Sequence, residues 1–240
     1  MAHHSENDPK PKFAFARRIA SVVAGAFRTD PYIQHDEKWK KDFKVKLFQH
    51  NKYALIEVMK ISPEKVLFAS TLLLNEDYQL SAGWALVNAV QEKVDLTVAK
   101  PYLVEGLSAK NKNVRSQCAR CLTLHYLNTD DLRSLKALAE PDDASMRRDI
   151  FDAANAYATD AHPSAIKFLV MTLGHPDRSV RELALGALEL AVELGEKEAR
   201  ELIKNELEPH TKAGVVTNLL AFKAAEKICK SIELKERRSS

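Results

Sequence analysis

Glycine is scarce, with seven in 240 residues. A sandwich or barrel of this length turns every roughly eight to twelve residues and needs far more turn chemistry than that. No strand-like alternation of apolar and polar residues stands out either, so the chain is expected to be all-α. Three cysteines do not make a disulfide framework and fit a reducing, cytoplasmic setting. No apolar run approaches the roughly 20 residues of a membrane span. The chain also lacks a glycine-rich phosphate loop, a G-x-S-x-G elbow and an H-E-x-x-H zinc motif. No catalytic residue, metal ligand or cofactor is expected.

What is present is a repeat. His175 to Leu194 reads HPDRSVRELALGALELAVEL. Counting from Val180, apolar or small residues fall at Ala184, Ala187, Leu188 and Ala191, which is one face of a helix. The same template from Val114 gives Cys118, Cys121, Leu122 and His125. From Met146 it gives Ile150, Ala153, Ala154 and Tyr157, and from Tyr78 it gives Ala82, Ala85, Leu86 and Ala89. The four starts are separated by 36, 32 and 34 residues. That period belongs to stacked helix pairs. A first helix precedes each copy, over 62–74, 96–108, 131–139 and 164–173. Polar turns carrying Asp, Asn or Pro join the two.

The motif Asp177, Val180, Arg181, Ala184, Ala187 and Leu188 resembles the HEAT-like repeats, including the short phycobilin-lyase type. Asp143, Met146 and Arg147 match more loosely, as do Asn113, Val114 and Arg115. The resemblance covers residues 62–194. It implies an α-α superhelix, a solenoid of about six helix pairs, in which turn aspartates and helix arginines form a ladder between repeats. Asp177 with Arg181 and Asp143 with Arg147 are assigned to that ladder. The family serves many roles, so the resemblance speaks to fold and not to function.

The chain divides into a disordered start (1–12), N-terminal capping helices and a degenerate repeat (13–61), the repeats (62–194), a C-terminal capping repeat (195–232) and a flexible tail (233–240). Phe13 to Phe27 sets Phe15, Ile19, Val22, Val23 and Phe27 on one helical face and is read as a cap; a surface anchor or targeting segment shows the same pattern. Lys38, Lys40, Lys41, Lys44 and Lys46 gather over 36–48 and are read as a solvated face. A break is expected at Glu208-Pro209-His210. The C-x-x-C at Cys118 and Cys121 occupies positions that other copies fill with alanine, so both are core residues.

Charge is unevenly spread. Residues 1–60 carry 12 basic and 7 acidic side chains, residues 61–222 carry 18 and 23, and residues 223–240 carry 6 and 3. An acidic repeat body disfavours a groove that tracks phosphates. At 100° per residue, four positions of each second helix point away from the core. They form the expected floor of a concave groove, whose partner-binding residues are Leu80, Trp84 and Val87, then Arg120, then Arg148, Asp152 and Asn155, then Glu182, Glu189 and Glu193. The leading expectation is a non-enzymatic scaffold that clasps an apolar and basic protein or peptide segment there. An alternative resemblance is to the HEAT-like alkylpurine DNA glycosylases, for which Trp84, Arg120, Arg148 and Asp152 supply suitable residue types. The acidic fourth copy departs from that pattern. A lyase-like chaperone of a chromophore-bearing protein is a third reading.

Overall fold

The computed structural model describes residues 37–48, 52–60, 62–211 and 219–239. The expected cap over Phe13–Phe27 and the start of the chain lie outside the described residues. Among the described residues there are twelve α-helices and no strand. They alternate as first and second helices of six pairs: α1 (Glu37–Phe48) with α2 (Lys52–Lys60), α3 (Pro63–Thr71) with α4 (Gln79–Gln91), α5 (Lys100–Gly106) with α6 (Lys112–Asn128), α7 (Leu132–Ala139) with α8 (Ala144–Thr159), α9 (Pro163–Thr172) with α10 (Arg178–Leu194), and α11 (Lys197–Thr211) with α12 (Leu219–Ser239). A 3₁₀ turn, Leu72–Leu74, extends α3. No helix of the described residues is long and apolar enough to cross a membrane.

The chain forms two compact units, residues 1–122 and 123–240. In the first, α2 packs on α4, and α3 packs on α5. In the second, α8 packs on α10 and α10 on α12, while α7 packs on α9 and α9 on α11. First helices thus meet first helices, and second meet second. This is the helix-pair stacking expected of HEAT-like repeats.

The repeat template marks the core. Ala82, Leu86, Ala89, Val114, Cys118, Cys121, Leu122, Ile150, Ala154, Val180, Ala184, Leu188 and Ala191 are all fully buried. Tyr78 and Tyr157 remain half-exposed. Small side chains permit close approach: a Cβ on Gly83 would lie 2.9 Å from Gln117 Cβ, and one on Gly106 would overlap Cys118 Sγ.

Local chemistry sets the helix ends. Asp131, Asp143 and Asp177 accept hydrogen bonds from the N–H groups of Ser134, Met146 and Ser179 and cap α7, α8 and α10. Pro63, Pro101 and Pro163 sit in first turns, where no helical N–H is missed. The second helices α4, α6 and α8 end alike. Each is followed by a left-handed residue that is not glycine: Lys93 (φ 61°), Asp130 (φ 54°) and Ala161 (φ 59°). The next N–H then closes back on the helix, from Val94 to Ala89 O, Asp131 to Tyr126 O and His162 to Tyr157 O, at 2.9–3.0 Å. These are Schellman closures built without the usual glycine.

Three boundaries differ from expectation. α5 begins at Lys100, because the Asp95 carboxylate takes the Thr97 N–H (2.8 Å) and hydroxyl (2.6 Å) and holds residues 96–99 in turns. α11 runs through Pro209 without breaking. The proline lies in the last turn, and Asn205, whose carbonyl loses its helical partner, is an exposed residue. Residues 233–239, expected as a tail, are helical within α12.

Candidate partner-binding site

An arginine follows the first core position of three second helices and grips the turn before it. Arg115 donates to the carbonyls of Ala109 (2.9 Å) and Lys110 (3.1 Å). Arg181 donates to His175 O and Pro176 O, both at 2.7 Å. Arg147 is buried and does more. It donates to Ala139 O (3.3 Å) and Glu140 O (3.1 Å), and reaches the next repeat at Asp177 Oδ2 (2.9 Å) and Ser179 Oγ (3.1 Å). The ladder therefore links Arg147 with Asp177, one repeat on. Arg181 spends its guanidinium on carbonyls instead. The Asp177 carboxyl is held below its ordinary value by the Ser179 N–H and hydroxyl, and then by Arg147. These residues are framework.

The thiols are framework as well. Burial pushes Cys118 up to about 12 and Cys121 well above its usual value. Neither supplies a thiolate nucleophile near neutral pH. Among the described residues, no three His, Cys, Asp or Glu side chains gather as a metal site.

Of the residues expected to floor a groove, Leu80 is 45 % and Trp84 58 % exposed, one helical turn apart on α4. They border a cavity of ≈ 360 Å³ between α1, α2 and α4, closed by Leu47, Leu55, Ala85, Ser81 and Asn88. The Asn88 amide is turned onto Trp84 O at 2.7 Å, so the wall stays largely apolar. Val87 is not part of this surface. It is 7 % exposed, so that position too belongs to the core. Thr123 and Leu127, at equivalent positions of α6, are likewise buried.

The remaining expected residues scatter in role. Arg120 belongs to the first unit and is half-buried, with Nε shut from solvent and given no acceptor. Arg148 and Asp152 are exposed on α8 of the second unit. Asn155 serves packing: its Nδ2 donates to Ala187 O at 2.6 Å and ties α8 to α10. The acidic stripe of α10 is engaged within the chain at Glu189, while Glu182 and Glu193 stay exposed. Glu189 pairs with Lys227 of α12 at 2.6 Å, the Glu193 carbonyl accepts from Lys235, and Glu182 pairs with Arg178 at 2.7 Å. Helix α12 packs along α10 and supplies the basic charge expected of a partner. The wheel identified the acidic face but not that covering helix, because α12 fits the repeat template poorly.

The pocket itself escaped sequence reading. Its far wall comes from Leu47 and Leu55, on helices that read only as a degenerate pair. The available signal was the apolar pair Leu80 and Trp84 on a helix whose opposite face was already committed to the core.

No protein-family model and no curated protein matches this sequence. Solved structures do match. One is a crystal structure of an engineered protein, 18 % identical with a TM-score of 0.37; the match covers 95 % of this chain and 66 % of that one, so this chain spans slightly under two thirds of its length. Another is an archaeal HEAT-like repeats protein from Thermococcus onnurineus NA1, 14 % identical with a TM-score of 0.38, covering 81 % of this chain and 97 % of that one.

Proposed function

We infer that the chain is a helical-repeat scaffold that anchors an apolar segment of a protein partner at the Trp84 pocket. The observation that carries this reading is the exposure of Leu80 and Trp84 beside an apolar cavity. A tryptophan left in water beside a cavity it does not fill is the type of residue that dominates binding energy once covered. The cavity is large enough for one or two apolar side chains, and its principal amide, Asn88, is already satisfied. The segment it selects is therefore apolar, and its specificity comes from shape.

The exposed Glu182, Glu193, Arg148 and Asp152 offer further polar contacts on the second unit. Glu189 and Asn155 contribute less than the sequence suggested, since both are engaged within the chain.

Affinity capture with wild type and Trp84→Ala, at matched thermal stability, tests the reading. A partner held through this pocket is lost from the variant, by roughly 30-fold in Kd if the ring is worth about 2 kcal/mol. Equal retention by the two proteins sinks the proposal. So does salt-dependent binding to a DNA duplex that survives Trp84→Ala, measured by fluorescence anisotropy.

A further inference from the structure

The charge around the Trp84 pocket has the opposite sign to the stripe on α10. That acidic stripe suggests a basic partner, but Glu189 is already paired with Lys227 of α12. The pocket itself lies in the first unit, residues 1–122. That span carries 19 basic and 13 acidic side chains, against 17 and 20 in residues 123–240.

Two cations stand beside the pocket. Lys44 is one turn before Leu47 on α1, and its Nζ lies 5.5 Å from the centre of the Tyr78 ring. Tyr78 precedes Leu80 by two residues at the start of α4, which puts this ammonium at the Leu80 end. Glu76 and Asp77 are exposed on the turn before Tyr78, and the basic rim ends there. Arg120 is placed by α6, which meets α4 at Gly83. A Cβ on Gly83 would lie 2.9 Å from Gln117 Cβ, and Cys121 Sγ donates to Gly83 O at 3.8 Å. Trp84 follows Gly83, Arg120 precedes Cys121, and both occupy the same step of the repeat template. The half-buried Arg120 keeps an Nε with no acceptor in the chain.

We propose that the segment taken by this pocket is acidic: apolar side chains enter the cavity, and carboxylates on either side of them meet Lys44 and Arg120. This rests on the pocket being the partner site, and it adds the partner's charge. Tyr78 and Trp84 are six residues apart, roughly 9 Å along α4. About three residues of extended chain cover that distance. Two acidic residues flanking two apolar ones therefore reach both cations. Arg120 can take a carboxylate through two N–H groups at once, while Lys44 acts as a point charge. A basic segment is repelled at both ends, so charge rejects partners that the apolar cavity alone would admit.

Three dye-labelled twelve-residue peptides test this, with cores Glu-Leu-Phe-Glu, Gln-Leu-Phe-Gln and Lys-Leu-Phe-Lys in one Gly-Ser frame. Anisotropy with the full chain at fixed ionic strength gives each Kd. The acidic core is expected to bind about tenfold tighter than the neutral one, and the lysine core weakest. Arg120→Gln should cost the acidic core about tenfold and Lys44→Gln about threefold, with the neutral core unmoved. Lys44→Glu together with Arg120→Glu should reverse the order in favour of the lysine core, a result that damage to the fold cannot produce. Trp84→Ala should weaken all three.

Equal binding of the three cores, each lost on Trp84→Ala, overturns the acidic assignment and spares the pocket. An acidic preference that Trp84→Ala leaves at full strength removes the pocket, and the proposal with it. So does binding by none of the three. A DNA duplex that displaces the acidic core, and itself depends on Arg120, assigns the cations to phosphate and overturns the proposal.

Discussion

At the scale of single residues, Arg147 and Asp177 carry the most. Arg147 satisfies two carbonyls at the end of α7 and clasps the cap of α10 in the following repeat. Its truncation leaves the Ala139 and Glu140 carbonyls without these donors and removes the pairing from Asp177. Arg147→Ala is expected to cost about 2–3 kcal/mol, with the ion-pair share reduced because Asp177 is partly exposed. Arg147→Lys should recover less than half, since an ammonium cannot reproduce the fork. Urea midpoints measure both. Asp177 gives a pH signature. Its folded carboxyl titrates below the ordinary 3.8, so its ionised form adds stability above that value and loses it as pH falls through the lower folded one. The gap between wild type and Asp177→Asn should be present at pH 7 and shrink towards zero at strongly acidic pH. A gap that persists in acid would mean the carboxylate charge is not what matters.

At the scale of elements, the ends of the second helices are informative. Ala161 holds a left-handed turn that costs a non-glycine residue free energy. Ala161→Gly is expected to stabilise the protein by about 0.5–1 kcal/mol, read as a higher thermal midpoint. Asp130→Gly should gain less, because Asp130 also accepts a hydrogen bond from Ser164 Oγ at 2.8 Å. Helix positions and core faces were legible in the sequence because a 3.6-residue period leaves a direct imprint. What covers the other face of a helix leaves no such imprint. Val87 and Glu189 show this: both lie away from the template face, yet one is buried and the other is paired by α12. Trp84 was found because it lies off the template face and stays exposed there. Pro209 shows a different limit: in the last described turn of α11 it removes the helical partner of the Asn205 carbonyl without ending the helix.

At the scale of the molecule, stacked pairs trade energy with their neighbours, so a local defect softens its own surroundings first. Both tryptophans, Trp39 and Trp84, lie in the first unit, while Arg147 and Asp177 lie in the second. Arg147→Ala should lower the helical transition seen by far-UV circular dichroism more than the transition seen by tryptophan emission. Identical shifts in the two signals would instead mean that the chain unfolds as one cooperative block.

The left-handed closures at Lys93, Asp130 and Ala161 recur at the same place in successive pairs. They divide the chain into cassettes whose two ends have the same backbone geometry. A gene duplication bounded by Asp131 and Ala161 would therefore join end to end without a misfit, and the array can lengthen by whole pairs while its existing surfaces keep their shape.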